Sequence, residues 1–315
     1  MTQRDSGADP RIPVLPKAIE AERREFTGGA GPLSVYVGGN GPPAIALHSI
    51  NAAASAYEMR PVFERLRDRY RVYALDLPGY GFSDRSKRPY TIQLFVQAIH
   101  DLLDHMRAHG DEGPVDAFAL SLSAEFLARA ASERPQDVRR LVLINPTGFR
   151  KGSHKLTGPS GASREIPGFY PVFSFPLWGR GLYNLLTRKG TIRYFLERTA
   201  GSKNVDAGMV DYDYLTARQP GAEHAPFAFL SARLFSRDIR TVYEQLAVPI
   251  WVPHGTRGDF KDFSDAAWAE AKGNWTFTPY DSGALPHFER PEEFFSDLEG
   301  FLARTAPAAE PERVD

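Results

Sequence analysis

Strand and helix signals alternate along most of the chain, and this alternation limits the fold more than any other feature. Short apolar runs at 43–47, 71–76, 115–120 and 140–144 have the character of buried parallel strands. Apolar residues recur at helical spacing between them, most clearly in residues 91–109. Repeated units of this kind predict an α/β fold, in which helices flank a mostly parallel sheet.

The alternation breaks in the middle of the chain. Residues 150–246 are rich in aromatic residues and in helical segments joined by Pro and Gly, and strand signals return at 249–252 and 275–280. We therefore predict an α/β core of residues 31–149 and 247–305, with an inserted helical cap at 150–246. Ligand sites of open α/β sheets lie at the carboxyl ends of the strands. We expect the cap to cover that end.

The two ends of the chain are polar and Pro-rich, which predicts an N-terminal arm at 1–30 and a C-terminal tail at 306–315. No run approaches the ~18 apolar residues of a membrane span, and the first residues lack the apolar segment of a secretory signal. We expect a cytoplasmic protein.

Composition excludes several kinds of site. The 315 residues include no cysteine, which rules out a disulfide scaffold, a Cys-ligated metal and a thiol nucleophile. The 38 Lys and Arg residues balance 39 Asp and Glu residues. That balance gives no electrostatic argument for a nucleic acid or membrane partner. We expect a small apolar molecule as substrate or ligand, no nucleic acid or membrane partner, no cofactor and no metal, and we leave the oligomeric state open.

The strongest local signal is a serine between a strand and a helix. The apolar run that ends at residue 120 is followed by Ser121, and helical spacing begins almost at once. A nucleophile on such a sharp turn needs small residues two positions before and after it, because the backbone there is crowded. Ala119 and Ser123 meet this requirement. If Ser123 were the nucleophile, Glu125 would occupy the crowded position, so Ser121 is the better candidate.

These residues resemble the nucleophile turn of the α/β-hydrolase superfamily, which has the pattern Gly-x-Ser-x-Gly. Here the turn is Ala-Leu-Ser-Leu-Ser over 119–123, with both glycines replaced. Residues 75–84 are similar to the family's turn after its fourth strand, and residues 283–291 to its histidine loop. The resemblance covers residues 31–305 and implies an α/β-hydrolase fold.

An oxyanion hole is the next part of the site. The N–H of Leu122 stands at a helix start, where it can donate to an oxyanion. Residues 47–50, Leu-His-Ser-Ile, look like the family's oxyanion loop with Ser49 in place of glycine. The resemblance then implies that the N–H groups of Ile50 and Leu122 form the hole.

The histidine loop departs from the family pattern at its most important position. The family has Gly-His-x-Pro, whereas this chain has Gly283-Ala284-Leu-Pro. A methyl group therefore stands where the family carries its general base, and a serine hydroxyl is a poor nucleophile until a base takes its proton. Three alternatives follow: His287 takes over the role, another histidine does, or the site has no base.

The remaining histidines are weaker candidates. His48 and His254 lie in loops where the family commonly keeps structural histidines, and His224 lies in the predicted cap. A further three share one helix, where a solvated face is the simpler interpretation and where their spacing makes no metal site. They are His100, His105 and His109.

The acid of the site is equally open. Asp259 fits the family position after the seventh strand, although one residue later than the commonest spacing, and Asp262 lies close by. Either residue could instead be a turn aspartate that accepts from neighbouring backbone N–H groups. Asn145 occupies a place where some family members keep the acid, and it could bind a ligand by hydrogen bonds.

Three functions remain after this comparison. The first is an esterase-like hydrolase that acts through Ser121 on a small or medium apolar ester or acyl compound, with an incomplete triad of Ser121, Asp259 and His287. The second is a lyase or cyclase type that uses only positioning and oxyanion stabilisation. The third is a pseudoenzyme that binds a small ligand without turnover.

Overall fold

A computed structural model describes residues 12–306 of the protein. At the centre of the fold lies one sheet of eight strands, in the order β1-β2-β4-β3-β5-β6-β7-β8. Strand β2 pairs antiparallel with β1 and with β4, and the remaining neighbours run parallel. The strands are β1 (Glu22–Gly28), β2 (Gly31–Gly38), β3 (Pro43–Leu47), β4 (Arg71–Asp76), β5 (Val115–Leu120), β6 (Val138–Ile144), β7 (Ile250–Gly255) and β8 (Trp275–Tyr280).

Helices connect the strands and cover both faces of the sheet. They are α1 (Arg60–Leu66), α2 (Ile92–Ala108), α3 (Ser123–Glu133), α4 (Phe169–Phe173), α5 (Gly179–Leu186), α6 (Lys189–Ala200), α7 (Ala207–Ala217), α8 (His224–Leu230), α9 (Ile239–Gln245), α10 (Ala267–Glu270), α11 (Pro286–Glu289) and α12 (Pro291–Arg304). No helix among the described residues is long and apolar enough to cross a bilayer. The predicted α/β fold with a mostly parallel sheet is confirmed.

Successive residues of the central strands point to opposite layers, as the period of a β-strand requires. In β5, Ala117 packs in the layer of α2 and α3, whereas Phe118 packs in the layer of α1 and α12. Leu141 and Val142 of β6 divide in the same way. Both faces are therefore buried, which explains why these strands appear in the sequence as continuous apolar runs.

The prediction of an arm over residues 1–30 was wrong for residues 22–28, which form the edge strand β1. Four of the seven residues in Glu-Arg-Arg-Glu-Phe-Thr-Gly are charged, and none of the seven is buried: three are exposed and four are half-buried. Charged side chains on an edge strand protect its free hydrogen-bonding groups from pairing with other chains. The same charges interrupt the apolar pattern, so a search for apolar runs does not detect this strand.

The chain before β1 packs on the rest of the protein. The carbonyl oxygens of Pro13 and Pro16 accept hydrogen bonds from Gln219 Nε2 at 2.8 Å and from the Tyr212 hydroxyl at 2.9 Å. The outer parts of the predicted arm and tail, residues 1–11 and 307–315, lie outside the described residues.

Residues 150–246, here called the insertion, separate β6 from β7 and contain α4 to α9. In the described chain the insertion adds no strand to the sheet, and its one β-bridge joins Ser163 to Ser236 within it. A buried ion pair ties it to the core: the Arg129 guanidinium on α3 donates to both oxygens of Asp238, at 2.7 and 3.1 Å. Asp238 also accepts from Gly161 N at 2.9 Å.

We predict that Asp238→Ala destabilises the protein by about 3–5 kcal/mol, because removal of one partner leaves a buried charge uncompensated. The side chains of Arg129 and Asp238 are only 6% and 7% exposed. Urea unfolding would measure the loss. Glu244→Ala is the matched control, since it removes an exposed helix pair with Arg240. Equal stability of the Asp238 variant and wild type would contradict the prediction.

Candidate active site

Ser121 has a backbone conformation that non-glycine residues rarely adopt. It follows β5 directly, two residues before the first residue of α3, and its φ angle is +56°. Left-handed backbone at such a residue costs about 1–3 kcal/mol and persists only where the surroundings impose it. Here Ser121 N donates to Ile144 O at 2.8 Å, and Ala124 N donates to Ser121 O at 3.1 Å. The side chain is partly exposed, and its hydroxyl has no hydrogen-bond partner among residues 12–306.

The small residues on each side of Ser121 are completely buried. Ala119 and Ser123 both have 0% exposure, and the Ser123 hydroxyl donates to His48 O. That bond holds the loop after β3 against the start of α3. Because its hydroxyl is buried and engaged, Ser123 is a poor candidate for a nucleophile.

His48 is a structural histidine. Its Nε2 accepts from Leu77 N at 2.9 Å, so the ring proton is on Nδ1, which donates to Ser49 O at 2.7 Å. Burial lowers the pKa of His48 to about 4, which keeps the ring neutral at pH 7. Both ring nitrogens are occupied, and neither hydrogen bonds to Ser121.

A buried carboxylate, missed in the sequence analysis, organises the loop after His48. The Glu58 side chain accepts from Ser49 N at 2.7 Å, from the Ser49 hydroxyl at 3.0 Å and from Asn51 Nδ2 at 2.9 Å. Burial raises the pKa of Glu58 to about 7. Ser49 therefore has no free N–H for a ligand. A single Glu in Ala-Tyr-Glu-Met carries no local signal of burial, so sequence inspection could not have found it.

Two backbone N–H groups beside Ser121 remain without acceptors. Neither Ile50 N nor Leu122 N has a hydrogen-bond partner within the described chain. Both residues are buried, at 3% and 1% exposure. The bond from Ser123 to His48 O brings their two loops together. Buried N–H groups are nearly always paired, so two free donors in these loops are unusual.

The histidine loop keeps a structural carboxylate but has no imidazole next to Gly283. Gly283 N donates to Glu289 Oε1 at 2.8 Å, and Arg257 Nη2 donates to Glu289 Oε2 at 2.8 Å. Ala284 is 6% exposed, and its N–H donates to Thr199 O at 3.2 Å. A carbonyl of the insertion thus binds the backbone N–H at position 284.

His287 is engaged away from Ser121. The ring is completely buried, and Nε2 donates to Glu58 O at 2.8 Å. Ring contacts to Phe288 and Phe294 surround it, with centroid distances of 5.0 and 5.7 Å. Burial lowers the pKa of His287 to about 4. For His287 to act on Ser121, the loop would have to break these contacts.

All eight histidines lie within the described residues, and none hydrogen bonds to Ser121. His254 stacks on Phe263 with a centroid distance of 4.1 Å. Three others form hydrogen bonds elsewhere: His100 with Glu133, His154 with Asp265, and His109 with the His105 carbonyl. His105 stacks on Phe26, and His224 lies on α8, where burial lowers its pKa.

The two candidate acids are held at the surface by other groups. Asp259 accepts from Arg198 Nε at 2.6 Å, and its side chain is 42% exposed. Asp262 accepts from the Ser264 hydroxyl and from the N–H groups of Ser264 and Lys151. These hydrogen bonds hold the pKa of Asp262 below its usual range. Its contacts are those of a turn aspartate.

Asn145 connects β6 to the loop after β7. Its Oδ1 accepts from Gly255 N at 3.0 Å, and its Nδ2 donates to Phe260 O at 3.2 Å. With a φ angle of +46°, Asn145 is a second strained residue at the carboxyl ends of the strands. Its amide is already engaged, so a ligand would have to compete with these bonds.

The end of α6 packs on the loops after β7 and β8. Arg198 O accepts from Asp259 N at 3.1 Å, and Thr199 O accepts from Ala284 N. A Cβ atom at Gly258, where φ is +73°, would lie 2.4 Å from Thr199 O. A Cβ at Gly283 would lie 2.2 Å from the same oxygen. Only glycine allows this close approach.

No set of three His, Asp or Glu residues suitable for a metal ion occurs in the part of the chain that the structure describes.

The sheet order and the left-handed serine between its fifth strand and the next helix are those of α/β hydrolases. The chain belongs to the alpha/beta hydrolase family, whose sequence model matches residues 41–298.

Individual relatives agree with this assignment. The chain is 30% identical over 224 residues to a pimeloyl-[acyl-carrier protein] methyl ester esterase of Xanthomonas oryzae, which covers 70% of this chain and 78% of that one. It is also 30% identical over 102 residues to the uncharacterised hydrolase YugF of Bacillus subtilis, a match to only 32% of this chain and 36% of that protein. The fold is similar to that of a probable hydrolytic enzyme from Pseudomonas aeruginosa, with a TM-score of 0.69 at 20% identity, covering 90% and 95% of the two chains.

We predict that Glu58→Gln makes the unfolding free energy depend less on pH between about 4.5 and 7. The folded state raises the pKa of Glu58 from 4.5 to about 7, so it binds the proton more tightly than the unfolded chain does. This contribution to stability is complete below pH 4.5 and is lost as pH rises through 7. It accounts for at most about 1.4 kcal/mol per pH unit.

Urea unfolding at several pH values from 4 to 8 would measure this slope. Glu64→Gln is the matched control, because Glu64 is exposed on α1. Part of the slope should remain in the Glu58 variant, since burial and the neighbouring Glu58 and Asp206 also raise the pKa of Asp213. An unchanged slope in Glu58→Gln would show that Glu58 is ionised throughout this range.

Proposed function

We propose that this protein binds a small or medium apolar ester or acyl compound with its carbonyl at Ser121, and that it hydrolyses esters slowly with Ser121 as nucleophile. The observation that carries the proposal is the left-handed backbone of Ser121 at the strand-to-helix turn. Strain of this kind collects at functional sites, because a fold keeps it only where the position of the side chain matters. The esterase activity of the Xanthomonas relative supports the same class of substrate.

The free N–H groups of Ile50 and Leu122 are proposed as the oxyanion hole. Donors that are fixed in a buried site before the reaction stabilise negative charge strongly, by about 3–4 kcal/mol for one donor in known cases. In this proposal Ser49 and Glu58 position the loop that carries Ile50. The insertion would cover the site as a cap, and its aromatic residues favour an apolar ligand.

Slow turnover follows from the absence of a base. A serine hydroxyl is weakly nucleophilic at its ordinary pKa, and in this site its proton would pass to water. Oxyanion stabilisation and binding alone leave roughly 10³–10⁴-fold acceleration over water in enzymes that have lost a triad member. We assign no base to His287: Nε2 donates to Glu58 O, and Nδ1, which has no partner in the described chain, makes no hydrogen bond to Ser121.

A second function is favoured by the placement of the histidines. None of the eight contacts the Ser121 hydroxyl by a hydrogen bond, and six of the eight hydrogen bond elsewhere through a ring nitrogen. A site with oxyanion donors and no base is suited to a lyase or cyclase type of reaction, or to binding without turnover.

We predict weak hydrolysis of p-nitrophenyl butyrate and weak fluorophosphonate labelling in the native protein, both abolished in Ser121→Ala. Ala284→His should raise kcat/KM by about tenfold or more, which corresponds to about 1.4 kcal/mol of transition-state stabilisation. The gain should stay below that of a complete triad, because Asp259 pairs with Arg198 and does not orient the new ring.

Ser132→Ala is the matched control, since it changes a half-buried serine on α3 whose hydroxyl donates to Gln245. The double variant Ser121→Ala/Ala284→His should hydrolyse esters no faster than Ser121→Ala alone, because the new histidine then has no serine to activate. Hydrolysis that survives Ser121→Ala would disprove the nucleophile. If native protein and Ala284→His are both inactive and unlabelled, while an acyl compound raises the melting temperature, the second function replaces the first.

A further inference from the structure

Exposed apolar side chains are concentrated in one part of the insertion. Of the eleven large apolar side chains exposed among residues 12–306, nine fall between residues 166 and 195. We call seven of these residues, which lie on or beside α4 and α5, the apolar tip. They are Ile166, Phe169, Val172, Phe175, Leu177, Trp178 and Leu185. Exposed apolar groups are common singly, but a contiguous set marks an interaction surface.

Basic residues predominate in the stretch that carries the apolar tip. Residues 166–196 contain four basic residues and no Asp or Glu, and Glu165 and Glu197 flank the stretch. Lys189 pairs with Asp211 at 2.6 Å. Arg180, Arg188 and Arg193 are exposed and form no ion pair with a described residue. A positive rim next to exposed apolar side chains matches an anionic, apolar partner surface.

The tip projects from a firmly packed base. Tyr183 of α5 is 2% exposed, and its hydroxyl donates to Ala52 O at 2.9 Å. Leu177, between α4 and α5, is 84% exposed. Trp178 Nε1 donates to Val172 O at 2.9 Å, and its ring stacks on Phe175 with a centroid distance of 4.3 Å. The indole can therefore enter an apolar medium without leaving an unpaired N–H.

We propose that the apolar tip binds peripherally to lipid surfaces that contain anionic headgroups. Side chains such as Phe, Leu and Trp that stand above a basic rim insert into the boundary between headgroups and acyl chains, while arginines bind the phosphates. A second copy fits this surface less well, because a symmetric contact would bring two sets of arginines together. A projecting tip also differs from the groove that a partner helix requires.

This proposal is independent of the role of Ser121 and differs from the sequence expectation of no membrane partner. That expectation rested on the balanced charge of the whole chain, which conceals the local excess of basic residues. The proposed contact is with the surface of the bilayer, because no described helix can span it.

Vesicle binding tests the proposal directly. We expect the full chain to partition into phosphatidylcholine vesicles with about 30% phosphatidylglycerol at least about tenfold more strongly than into phosphatidylcholine alone. About 0.5 M NaCl should weaken the binding, since salt screens the arginines. Trp178 is a built-in reporter, because Trp251 and Trp275 are buried and Trp268 is partly buried. Its emission should shift to the blue, and brominated lipid should quench it.

Leu177→Asp should reduce partitioning by about tenfold, through loss of an inserted side chain and gain of a negative charge. Val14→Asp is the matched control, because Val14 is 88% exposed but lies outside the tip. Arg188→Gln/Arg193→Gln should remove the preference for anionic vesicles, whereas Arg65→Gln/Arg69→Gln should not. Equal binding to both vesicle types, or none, would overturn the proposal. Self-association that Leu177→Asp abolishes, without vesicle binding, would assign the tip to a second copy.

Discussion

The loops at the carboxyl edge of the sheet bury backbone N–H groups that need acceptors, and a few side chains supply them. Glu58 accepts from Ser49 N, Asp76 from the N–H groups of Ala56 and Phe82, Asn145 from Gly255 N, and Glu289 from Gly283 N. Each joins two segments that are distant along the loop or the chain. An unpaired buried N–H costs about 1–3 kcal/mol, so these few acceptors determine the paths of the loops.

The same demand accounts for two histidines. His48 and His287 both lie at this edge, yet each satisfies a backbone group: His48 accepts from Leu77 N, and His287 donates to Glu58 O. An imidazole ring that is buried, neutral and fixed in one tautomer stabilises a loop. Such a ring no longer exchanges protons freely. Within this edge Ser121 combines a strained backbone with a hydroxyl that no described residue engages. His48 and His287 therefore hold the loops at this edge without any hydrogen bond from the Ser121 side chain.

Much of the fold could be predicted because buried parallel strands leave long apolar runs, as in β3 and β5. Strand β1 could not, since its charges serve the exposed edge and break the apolar pattern. Ser121 stood out because the small residues around it reflect a steric requirement. Glu58 and the docking of α6 left no such trace. The first depends on burial by distant elements, and the second on backbone carbonyls, whose contacts place no demand on the side chains of α6.

The docking of α6 also limits how the insertion can move. Its last carbonyls are bonded to the loops after β7 and β8, and two glycines allow the contact. A rigid outward swing of the whole insertion would break these bonds together with the buried pair of Arg129 and Asp238. The Tyr183 hydroxyl on α5 adds a third attachment, to Ala52 O at 2.9 Å. Because the insertion is fixed to the core at α5, at the end of α6 and at Asp238, hinged opening about any one of these points would break the other two.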